Sequence, residues 1–518
     1  MRPPEPPSPV RADQLLACGA PEAPALRVGR EALSYAALDA LVGRAAAGLA
    51  GRVGSGARVA IWSAKSAAMV AALFAVWRAG AVAVPVNPAL RPRQVRHILG
   101  DCGAALLLVQ AARAAALGDD LPGGCRLLTF ERDWAALLAD PGPGAAAGGR
   151  LPPALPETAA SPLLAALLYT SGSTGPPKGV MVSHRNLLLG AEAVVSYLGT
   201  AASDRVLAVL PLSFDFGLSQ LTTAFRAGAC AVLLDHLAPR DIVEAVVRHR
   251  ITQLAAVPPL WLQLLDVAWP EAARASLRTL STSGGRLPVP AVRRLRALFP
   301  EARLHLMYGL TEAFRSTSLP PDLVDARPDS IGRAIPHAEV LVVRPDGNLA
   351  ADGEPGELVH CGPLVTLGYW GDPERTAARF RPAPPASRYG GTAVWSGDIV
   401  VRDSDGLLVF VGRSDEMIKV SGTRVSPTEV EELALASGAV AAAVALGVPH
   451  AQLGQAIRLV AVPAAGLEPA TAETQLRAFL RREAPSWMQP EELLWRGSLP
   501  LSPNGKVDRA ALRAACGG

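Results

Sequence analysis

Three things are scarce in this sequence of 518 residues: aromatic side chains (5%), charged side chains (19%) and cysteines, of which there are six. The formal net charge is only +4, and the charges form no block of about five or six of one sign, which argues against a nucleic-acid or membrane-surface partner. The cysteines lie far apart, without a C-x-x-C pair or histidines at metal-binding spacing. We therefore expect a reduced protein without structural zinc.

Long apolar segments are also missing, although 50% of the residues are hydrophobic and the mean hydropathy is +0.25. The longest uncharged stretch, residues 158–177, contains prolines and a Ser/Thr/Gly cluster, so no membrane span is expected. The Pro-rich N-terminus lacks the apolar run of a secretory signal, which predicts a cytoplasmic protein. The length and composition predict about two to four domains with buried cores rather than global disorder.

Helical and strand-like segments alternate along most of the chain. The helical run Ala67–Arg78 precedes the strand-like run 81–86, and the same order recurs further along. This alternation predicts an α/β fold in which helices cover parallel sheets. Near residue 412 the elements become shorter, so we expect a large N-terminal domain (residues 1–412) and a small C-terminal α+β domain (residues 413–518).

The most informative segment, residues 169–179, reads YTSGSTGPPKG and follows an apolar strand-like run. Its hydroxyl and glycine residues can direct many N–H and O–H groups toward one anion, and Lys178 adds a positive charge. These residues are Thr170, Ser171, Gly172, Ser173, Thr174 and Gly175. Because Lys178 precedes Gly179, the segment is not a Walker A loop. We interpret it as a polyphosphate cradle; a flexible Ser/Gly linker is the alternative.

With this loop, the sequence resembles the AMP-forming adenylating enzymes, which comprise acyl-CoA synthetases, amino-acid adenylation domains and firefly-type luciferases. The resemblance extends from about residue 25 to residue 510, with several motifs in the family's order. It implies ATP and Mg²⁺ as cofactors and a mobile C-terminal domain that reorients between two half-reactions. Residues 308–317 and 213–221 are also similar to a stand-alone ligase subgroup associated with exosortase gene clusters.

Residues 308–312 match the family's Y-G-x-T-E motif. The resemblance implies that Tyr308 stacks on adenine, that Thr311 contacts the phosphate that becomes AMP, and that Glu312 holds Mg²⁺. A carboxylate beside phosphates suits this ion, because Mg²⁺ usually takes only one or two carboxylates. Taken alone, the pentapeptide would indicate no more than a strand end with a solvated Glu312.

Two further motifs resemble parts of a nucleotide site. In Ser283-Gly284-Gly285-Arg286, only Gly284 and Gly285 carry over to the adenine side, because many relatives have Glu or Ala in place of Arg286. Asp398 lies in a T/S-G-D motif and is expected to accept the ribose hydroxyls, with Arg413 of a G-R-x-D motif beside it. Otherwise a Gly-Gly pair is a plain turn, and an Asp in a turn usually accepts from the local backbone.

The G-R-x-D and K-x-x-G-x-R motifs lie where the chain enters the C-terminal domain. The resemblance implies that Asp415 absorbs the rotation between the domains and that Gly422 lies where a pantetheine thiol passes, since close passage requires an absent Cβ. Glu429, Glu431 and Glu432 follow on a predicted helix, and we interpret them as its solvated face.

Residues 500–506 match the C-terminal P-x-x-x-x-G-K motif. By this resemblance Lys506 is the catalytic lysine, whose ammonium stabilises the carboxylate oxygen and the α-phosphate as charge develops. An exposed lysine without a role is the alternative.

Residues 210–217 occupy the expected acid pocket. Many fatty-acyl and aryl-acyl relatives have His in place of Phe214, whereas amino-acid adenylation domains have Phe-Asp, and their Asp pairs with the substrate's ammonium. Asp215 lies on an otherwise apolar wall, where a carboxylate is costly to bury without a cation, so we expect an amino-acid substrate. Asp215 could instead pair with an internal Arg or cap a helix. Arg315 and Ser316 are also expected here, and Arg315 could bind a second substrate carboxylate or neutralise Asp215.

The sequence therefore predicts an ATP-dependent, AMP-forming acid–thiol ligase. It would activate a carboxylic acid, expected to be an amino acid, and transfer the acyl group to the thiol of CoA or of a phosphopantetheinylated carrier protein. Because no carrier domain follows residue 510, the carrier is expected to act in trans. The alternatives are a fatty-acid or aryl-acid CoA ligase without amine recognition, a luciferase-like oxygenating adenylase, and a catalytically silent nucleotide-binding protein. The presence of both Lys506 and Glu312 argues against the last.

Overall fold

The computed structural model describes residues 9–118, 121–140, 163–170, 177–414, 416–420, 423–450 and 453–516. Several predicted site residues lie outside these ranges: residues 171–175, Asp415 and Gly422. Among the described residues, no helix combines the length and apolar character needed to cross a membrane.

The strands are numbered along the chain. They are β1 (Pro24–Val28), β2 (Glu31–Ser34), β3 (Arg58–Trp62), β4 (Val82–Val86), β5 (Leu106–Val109), β6 (Arg126–Thr129), β7 (Leu164–Thr170), β8 (Lys178–Ser183), β9 (Arg205–Ala208), β10 (Cys230–Leu233), β11 (Gln253–Ala256), β12 (Thr279–Thr282) and β13 (Arg303–Leu310). The later strands are β14 (Phe314–Leu319), β15 (Ser330–Ala334), β16 (Glu339–Val343), β17 (Pro355–Cys361), β18 (Phe380–Pro382), β19 (Thr392–Arg402), β20 (Leu408–Arg413), β21 (Ile418–Val420), β22 (Thr423–Val425), β23 (Val440–His450), β24 (Gly454–Pro463) and β25 (Glu492–Trp495).

The α-helices are numbered in the same way. They are α1 (Tyr35–Ala50), α2 (Ala67–Arg78), α3 (Pro92–Asp101), α4 (Ala111–Leu117), α5 (Trp134–Ala139), α6 (His184–Leu198), α7 (Asp215–Arg226), α8 (Pro239–His249), α9 (Pro258–Leu265), α10 (Glu271–Ser276), α11 (Val289–Leu298), α12 (Pro373–Arg379), α13 (Pro427–Ala436), α14 (Pro469–Glu483) and α15 (Arg509–Ala515). Short 3-10 helices occupy Ala12–Cys18, Pro321–Leu323 and Ser486–Met488.

The N-terminal body contains two sheets with helices packed on them. The first has the order β6-β5-β3-β4-β7-β8 and is parallel except for β8. Helix α2 belongs to the body's main core: it is apolar on almost every side, and the Ser66 side chain caps it by accepting a hydrogen bond from the Met69 N–H. The central strands of this sheet are covered on both faces, so strands β3, β4 and β5 are nearly continuous apolar runs in the sequence.

The second sheet of the body positions the candidate site. Its parallel part has the order β1-β10-β9-β11-β12-β13. From β13 the sheet continues with antiparallel strands in the order β14-β15-β20-β19-β17-β16. Loops at the carboxyl ends of parallel strands commonly carry binding residues in α/β folds. Here the loop after β12 holds Gly284, and the end of β13 holds Tyr308.

The C-terminal part forms its own sheet, with the order β22-β21-β24-β23 and β25 beside β24. Its core includes Ile418, Val430, Leu459 and Leu476, all nearly inaccessible to solvent. Strand β20 ends at Arg413 in the body's sheet, and β21 begins in the second unit. The predicted fold class, a large α/β domain of helix-covered sheets followed by a small α+β domain, is confirmed.

The prediction that Glu429, Glu431 and Glu432 form a solvated face of α13 is wrong for Glu431 and Glu432. Glu429 is exposed, but Glu431 has a 14% exposed side chain and forms a 2.5 Å ion pair with Arg509. Burial raises the pKa of Glu431, and the nearby Arg509 charge opposes that shift. Glu432 forms an ion pair with Arg286 of the body. Both carboxylates therefore contribute to tertiary contacts that the helical pattern could not reveal.

Candidate active site

A tight turn in the C-terminal domain carries Lys506 to the body. The Gly505 N–H donates to the Ser502 carbonyl over 2.8 Å, the Ser502 N–H donates to the Lys506 carbonyl over 2.6 Å, and Gly505 has φ of +77°. The Asn504-Gly505 pair therefore forms a tight turn, as Asn-Gly pairs commonly do. Asn87 of the body holds this turn, since its amide donates to the Pro503 carbonyl and to Asn504 Oδ1, both over 3.0 Å.

Lys506 reaches into the body between an aromatic ring and a glycine. Its Nζ lies 4.9 Å from the centroid of the Phe214 ring. A Cβ on Gly284, which has φ of +86°, would lie only 2.8 Å from Lys506 Cε, so a side chain there would displace the lysine. Burial lowers the pKa of Lys506, while Asp215 and Glu312 favour its charged form.

Asp215 begins helix α7, directly after Phe214. Burial raises the pKa of its carboxyl group, and the charges of Lys506 and Arg315 oppose the shift. The Thr311 hydroxyl lies 3.5 Å from Asp215 Oδ1 as a hydrogen-bond donor. The predicted acid-pocket carboxylate and the predicted phosphate-side threonine are thus neighbours, at the end of the site that Lys506 enters.

Glu312 and Lys178 are joined through Tyr369. The Tyr369 hydroxyl donates to Glu312 Oε1 over 2.6 Å and accepts from Lys178 Nζ over 3.2 Å. Lys178 begins β8, opposite Thr170 at the end of β7, so both lie at the edges of the predicted phosphate loop. Burial lowers the pKa of Lys178, and Glu312 opposes this shift.

A second cluster joins Tyr308, Asp398 and Arg413. Asp398 and Arg413 face each other on β19 and β20, and the guanidinium donates to the carboxylate over 2.7 Å. The Tyr308 hydroxyl donates to the same carboxylate, and its ring stacks on His360 with centroids 5.8 Å apart. Tyr308, which is expected on the adenine side, therefore meets the ribose-side pair Asp398 and Arg413. Gly284 and Gly285 lie in the loop after β12, where Gly284 faces Lys506.

Arg315 and Ser316 follow the loop that contains Glu312 and are both buried. Arg315 is 3% exposed and donates to the Ser219 hydroxyl on α7. The Ser316 hydroxyl lies 2.6 Å from His360 Nδ1. Burial lowers the pKa of His360 to about 3, so its ring is neutral near pH 7.

Two residues that contact the site were not found from the sequence. Tyr369 links Lys178 to Glu312, and Asn87 holds the turn of Lys506. Tyr369 lies between Gly368 and Gly371, and no motif recognised in the sequence includes it. For Asn87, its partners lie 416 and 417 residues away, and no local pattern indicates such a contact.

The site suits Mg²⁺ bound mainly by phosphates. The described residues contain no group of three or more His, Cys, Asp or Glu side chains that could hold a metal ion by themselves. Mg²⁺ typically keeps several waters and adds one or two carboxylates to the phosphates of its substrate. Glu312 is 8% exposed, and its carboxylate is oriented by Tyr369 beside Lys178, so it could supply such a ligand.

Comparison with known families matches residues 17–370 to AMP-binding enzymes and residues 429–506 to the C-terminal domain of AMP-binding enzymes. The chain is 32% identical over 497 residues to the L-proline–(L-prolyl-carrier protein) ligase of Pseudomonas fluorescens, covering 93% of this chain and 94% of that protein. It is 33% identical over 509 residues to a feruloyl-CoA synthase of Amycolatopsis, with 96% of each covered.

In structure, the chain resembles o-succinylbenzoate coenzyme A synthetase of Bacillus subtilis in complex with ATP and a magnesium ion. The TM-score is 0.81 at 25% identity, and the match covers 96% of this chain and 98% of that one. Some relatives are far longer: tyrocidine synthase 3 of Brevibacillus parabrevis is 31% identical over 500 residues, but the chain spans only 7% of its length.

Proposed function

Because the chain belongs to the family of AMP-binding enzymes, we propose that it uses ATP to join a carboxylic acid to a thiol. The observation that supports this best is the position of Lys506, which reaches from the C-terminal domain to within 4.9 Å of the Phe214 ring. There it lies near Asp215 and Glu312 of the body. A protein that only binds a nucleotide does not need a buried lysine from a second domain at this point.

In the first proposed half-reaction, a carboxylate oxygen of the acid attacks the α-phosphorus of ATP. The bond to pyrophosphate breaks, and acyl-AMP forms. Lys506 stabilises the charge on the reacting oxygens, and Lys178 attracts the leaving phosphates. Asp398 and Arg413 hold the ribose, and Tyr308 contacts the adenine. Mg²⁺, bound beside Glu312, would neutralise phosphate charge.

In the second proposed half-reaction, a pantetheine sulfur attacks the acyl carbon of acyl-AMP. The bond between the acyl carbon and the phosphate oxygen breaks, AMP leaves, and the thiol proton is released. Because one site then serves both steps, we propose that the C-terminal domain reorients near Asp415 and that Gly422 lines the path of the thiol. The acceptor is proposed to be CoA or a phosphopantetheinylated carrier protein.

We propose further that the acid is an amino acid. Asp215 lies at the N-terminus of α7 in a wall that also contains Phe214 and Phe216, where a substrate ammonium could neutralise it. The relative from Pseudomonas fluorescens, whose name assigns it L-proline and a carrier protein, is consistent with this choice. The equally similar feruloyl-CoA synthase keeps an aryl-acid CoA ligase as the second candidate.

Pyrophosphate release from MgATP, measured over a panel of amino acids, fatty acids and aryl acids, tests the first half-reaction. We expect the largest kcat/KM for an amino acid and at least about tenfold less for its des-amino analogue, equivalent to about 1.4 kcal/mol. A thioester assay of the best acid with CoA and with carrier proteins then identifies the acceptor. Acid-independent pyrophosphate release, or none with any acid, would contradict the proposed function; preference for aryl acids would favour the second candidate.

A further inference from the structure

A small cavity lies in the body beside helix α7, which also carries Asp215 of the acid pocket. It lies among α6, α7 and the strands β11 to β13, and its volume is about 30 Å³. Since about 10 to 15 Å³ of such space holds one water molecule, a group as large as a carboxylate could enter. Its polar lining is unusual for a body core and includes Ser219, Gln220, Thr223, Gln253 and Arg315.

Arg315 is the cation of this cavity. Its guanidinium carbon lies 4.4 Å from the Phe314 ring centroid and 5.0 Å from that of Phe216, and it donates through Nη2 to Ser219. Its Nε is buried and has no hydrogen-bond partner. Among the described residues, no carboxylate forms an ion pair with Arg315, although an unpaired buried charge is strongly destabilising.

The backbone around Arg315 is strained and closely packed. The preceding Phe314 has φ of +56°, a backbone conformation that is rare and strained for an aromatic residue. Across the hairpin, a Cβ on Gly309 would lie 2.6 Å from the Arg315 Cα, so only glycine allows this approach. Backbone strain of this kind is common at active sites and ligand-binding sites.

Two residues that line the cavity, Ser219 and Thr223, lie in line with Asp215 on helix α7. Asp215, Ser219 and Thr223 are four residues apart on α7 and therefore share one face of the helix. At 1.5 Å per residue, Ser219 lies about 6 Å further along the axis than Asp215. A substrate whose amine meets Asp215 would thus need a chain of a few carbon atoms to reach Ser219 and Arg315.

We propose that the acid activated at this site carries a second, distal carboxylate, which Arg315 binds together with Ser219. The inference rests on the proposed function, because it names the substrate class of the same site. Combined with Asp215, it indicates a small acidic amino acid. The competing explanation is that Arg315 serves only to offset the charge of Asp215, in which case the distal end of the substrate would make no difference.

The test compares acids that differ only at the distal end. Glutamate, glutamine and norvaline form one series, and aspartate, asparagine and 2-aminobutyrate form another. The intact protein is assayed for pyrophosphate release, and binding with a non-hydrolysable ATP analogue is measured by calorimetry. We expect the best distal carboxylate to surpass its amide by about 100-fold in kcat/KM and in affinity, because the amide would leave Arg315 unpaired.

Arg315→Met should abolish this preference, and Arg315→Lys should retain part of it, since a lysine keeps the charge without the planar fork. Arg333→Met is the matched control, because Arg333 is exposed on β15 and should leave the preference intact. Thermal unfolding checks that each variant folds; if Arg315→Met does not, Ser219→Ala should weaken the preference by about tenfold.

Two outcomes would overturn the inference: no preference for the carboxylate in the wild type, or a preference that survives Arg315→Met. Both are distinct from failure of the proposed function. If no acid released pyrophosphate, the proposed function would fail, and calorimetric binding of the distal carboxylate would still decide the role of Arg315.

Discussion

Lys506 is buried, although the role proposed for it requires its charge. Its Nζ faces the Phe214 ring, and burial favours the neutral amine, but Asp215 and Glu312 oppose that tendency. Lys506→Ala should therefore slow acid-dependent pyrophosphate release by about 100- to 1000-fold, the usual effect of losing one preorganised charge in the transition state. Thioester formation from supplied acyl-AMP should change little, because that step begins after the phosphoryl chemistry is complete.

The two assays on the same variant are each other's control. If pyrophosphate release by Lys506→Ala stays within about threefold of the wild type, the role assigned to Lys506 is wrong. If both half-reactions fall equally, the lysine supports the structure of the site rather than the first step.

Asp215 tests whether the substrate carries an amine. Asp215→Asn keeps the shape of the side chain but removes its charge, so a substrate ammonium would lose its partner in a desolvated pocket. We expect kcat/KM for the cognate amino acid to fall by about 100-fold or more. Its des-amino analogue should be affected much less, and the comparison of the two substrates is the measurement.

Asp241→Asn is a matched control for this prediction. Asp241 also lies in the first turn of a helix, where it accepts the Leu237 and Ala238 N–H groups, and it is not one of the carboxylates whose charges act on Lys506. Equal losses with the amino acid and with its des-amino analogue in Asp215→Asn would show that Asp215 does not recognise an amine.

At the scale of elements, the sequence predicts helix ends and tight turns, because neighbouring residues determine them. Helix α2 begins and ends at the predicted residues, Ala67 and Arg78, because Ser66 caps a run of good helix formers. An Asn-Gly pair favours a tight turn because glycine tolerates a positive φ, and Asn504-Gly505 forms such a turn before Lys506. Glu431 could not be assigned in this way, since its partner Arg509 lies 78 residues further along the chain.

The loop after β12 is the element whose shape most directly controls Lys506. Gly284→Ala would place a Cβ 2.8 Å from Lys506 Cε at a backbone φ of +86°, so the lysine would have to move. We expect pyrophosphate release to fall by about tenfold to 100-fold, because a displacement of about 1 Å in a reacting group can have that effect.

A double-mutant cycle distinguishes this displacement from general damage to the loop. In the Lys506→Ala background the Cβ no longer meets the lysine, and only the strain of alanine at a φ of +86° remains. The further effect of Gly284→Ala should therefore be much smaller than in the wild type. Gly285→Ala is the comparison, since its Cβ would meet only Pro258 at 3.5 Å or more, and its effect should be about the same in both backgrounds. Additive effects for Gly284→Ala would contradict the steric explanation.

At the scale of the whole molecule, the site exists only where distant parts of the chain meet. Tyr369 contacts Lys178 across 191 residues and Glu312 across 57. The motifs made it possible to predict Lys178 and Glu312 individually, but the tyrosine that joins them carries no motif used in that prediction. Contacts of this kind follow from the packing of the two sheets and the C-terminal domain, and a single sequence does not record that packing.

Asn87 can be used to test the arrangement of the two domains, because its hydrogen-bond partners lie in the C-terminal domain. Its amide holds the Lys506 turn through two hydrogen bonds of 3.0 Å, to Pro503 and Asn504, and these contacts join the body to the C-terminal domain. Each hydrogen bond contributes about 0.5 to 1.5 kcal/mol net. Losing both should shift the arrangement in Asn87→Ala away from the first half-reaction by roughly fivefold to 150-fold. Pyrophosphate release should therefore slow.

Thioester formation from supplied acyl-AMP should stay constant or accelerate in Asn87→Ala, because the reoriented domain would no longer have to break these contacts. A contact that only stabilises the fold would slow both pyrophosphate release and thioester formation when it is lost. A contact specific to one domain arrangement should slow only the first. Asn348→Ala provides the control: Asn348 is exposed in the body, its side chain bonds to Asp346, and neither half-reaction should change. Asn87→Ala could instead slow both half-reactions to the same extent. That result would show that the contacts of Asn87 with the Lys506 turn are not specific to adenylation. The C-terminal domain would then not have to break them between the two steps.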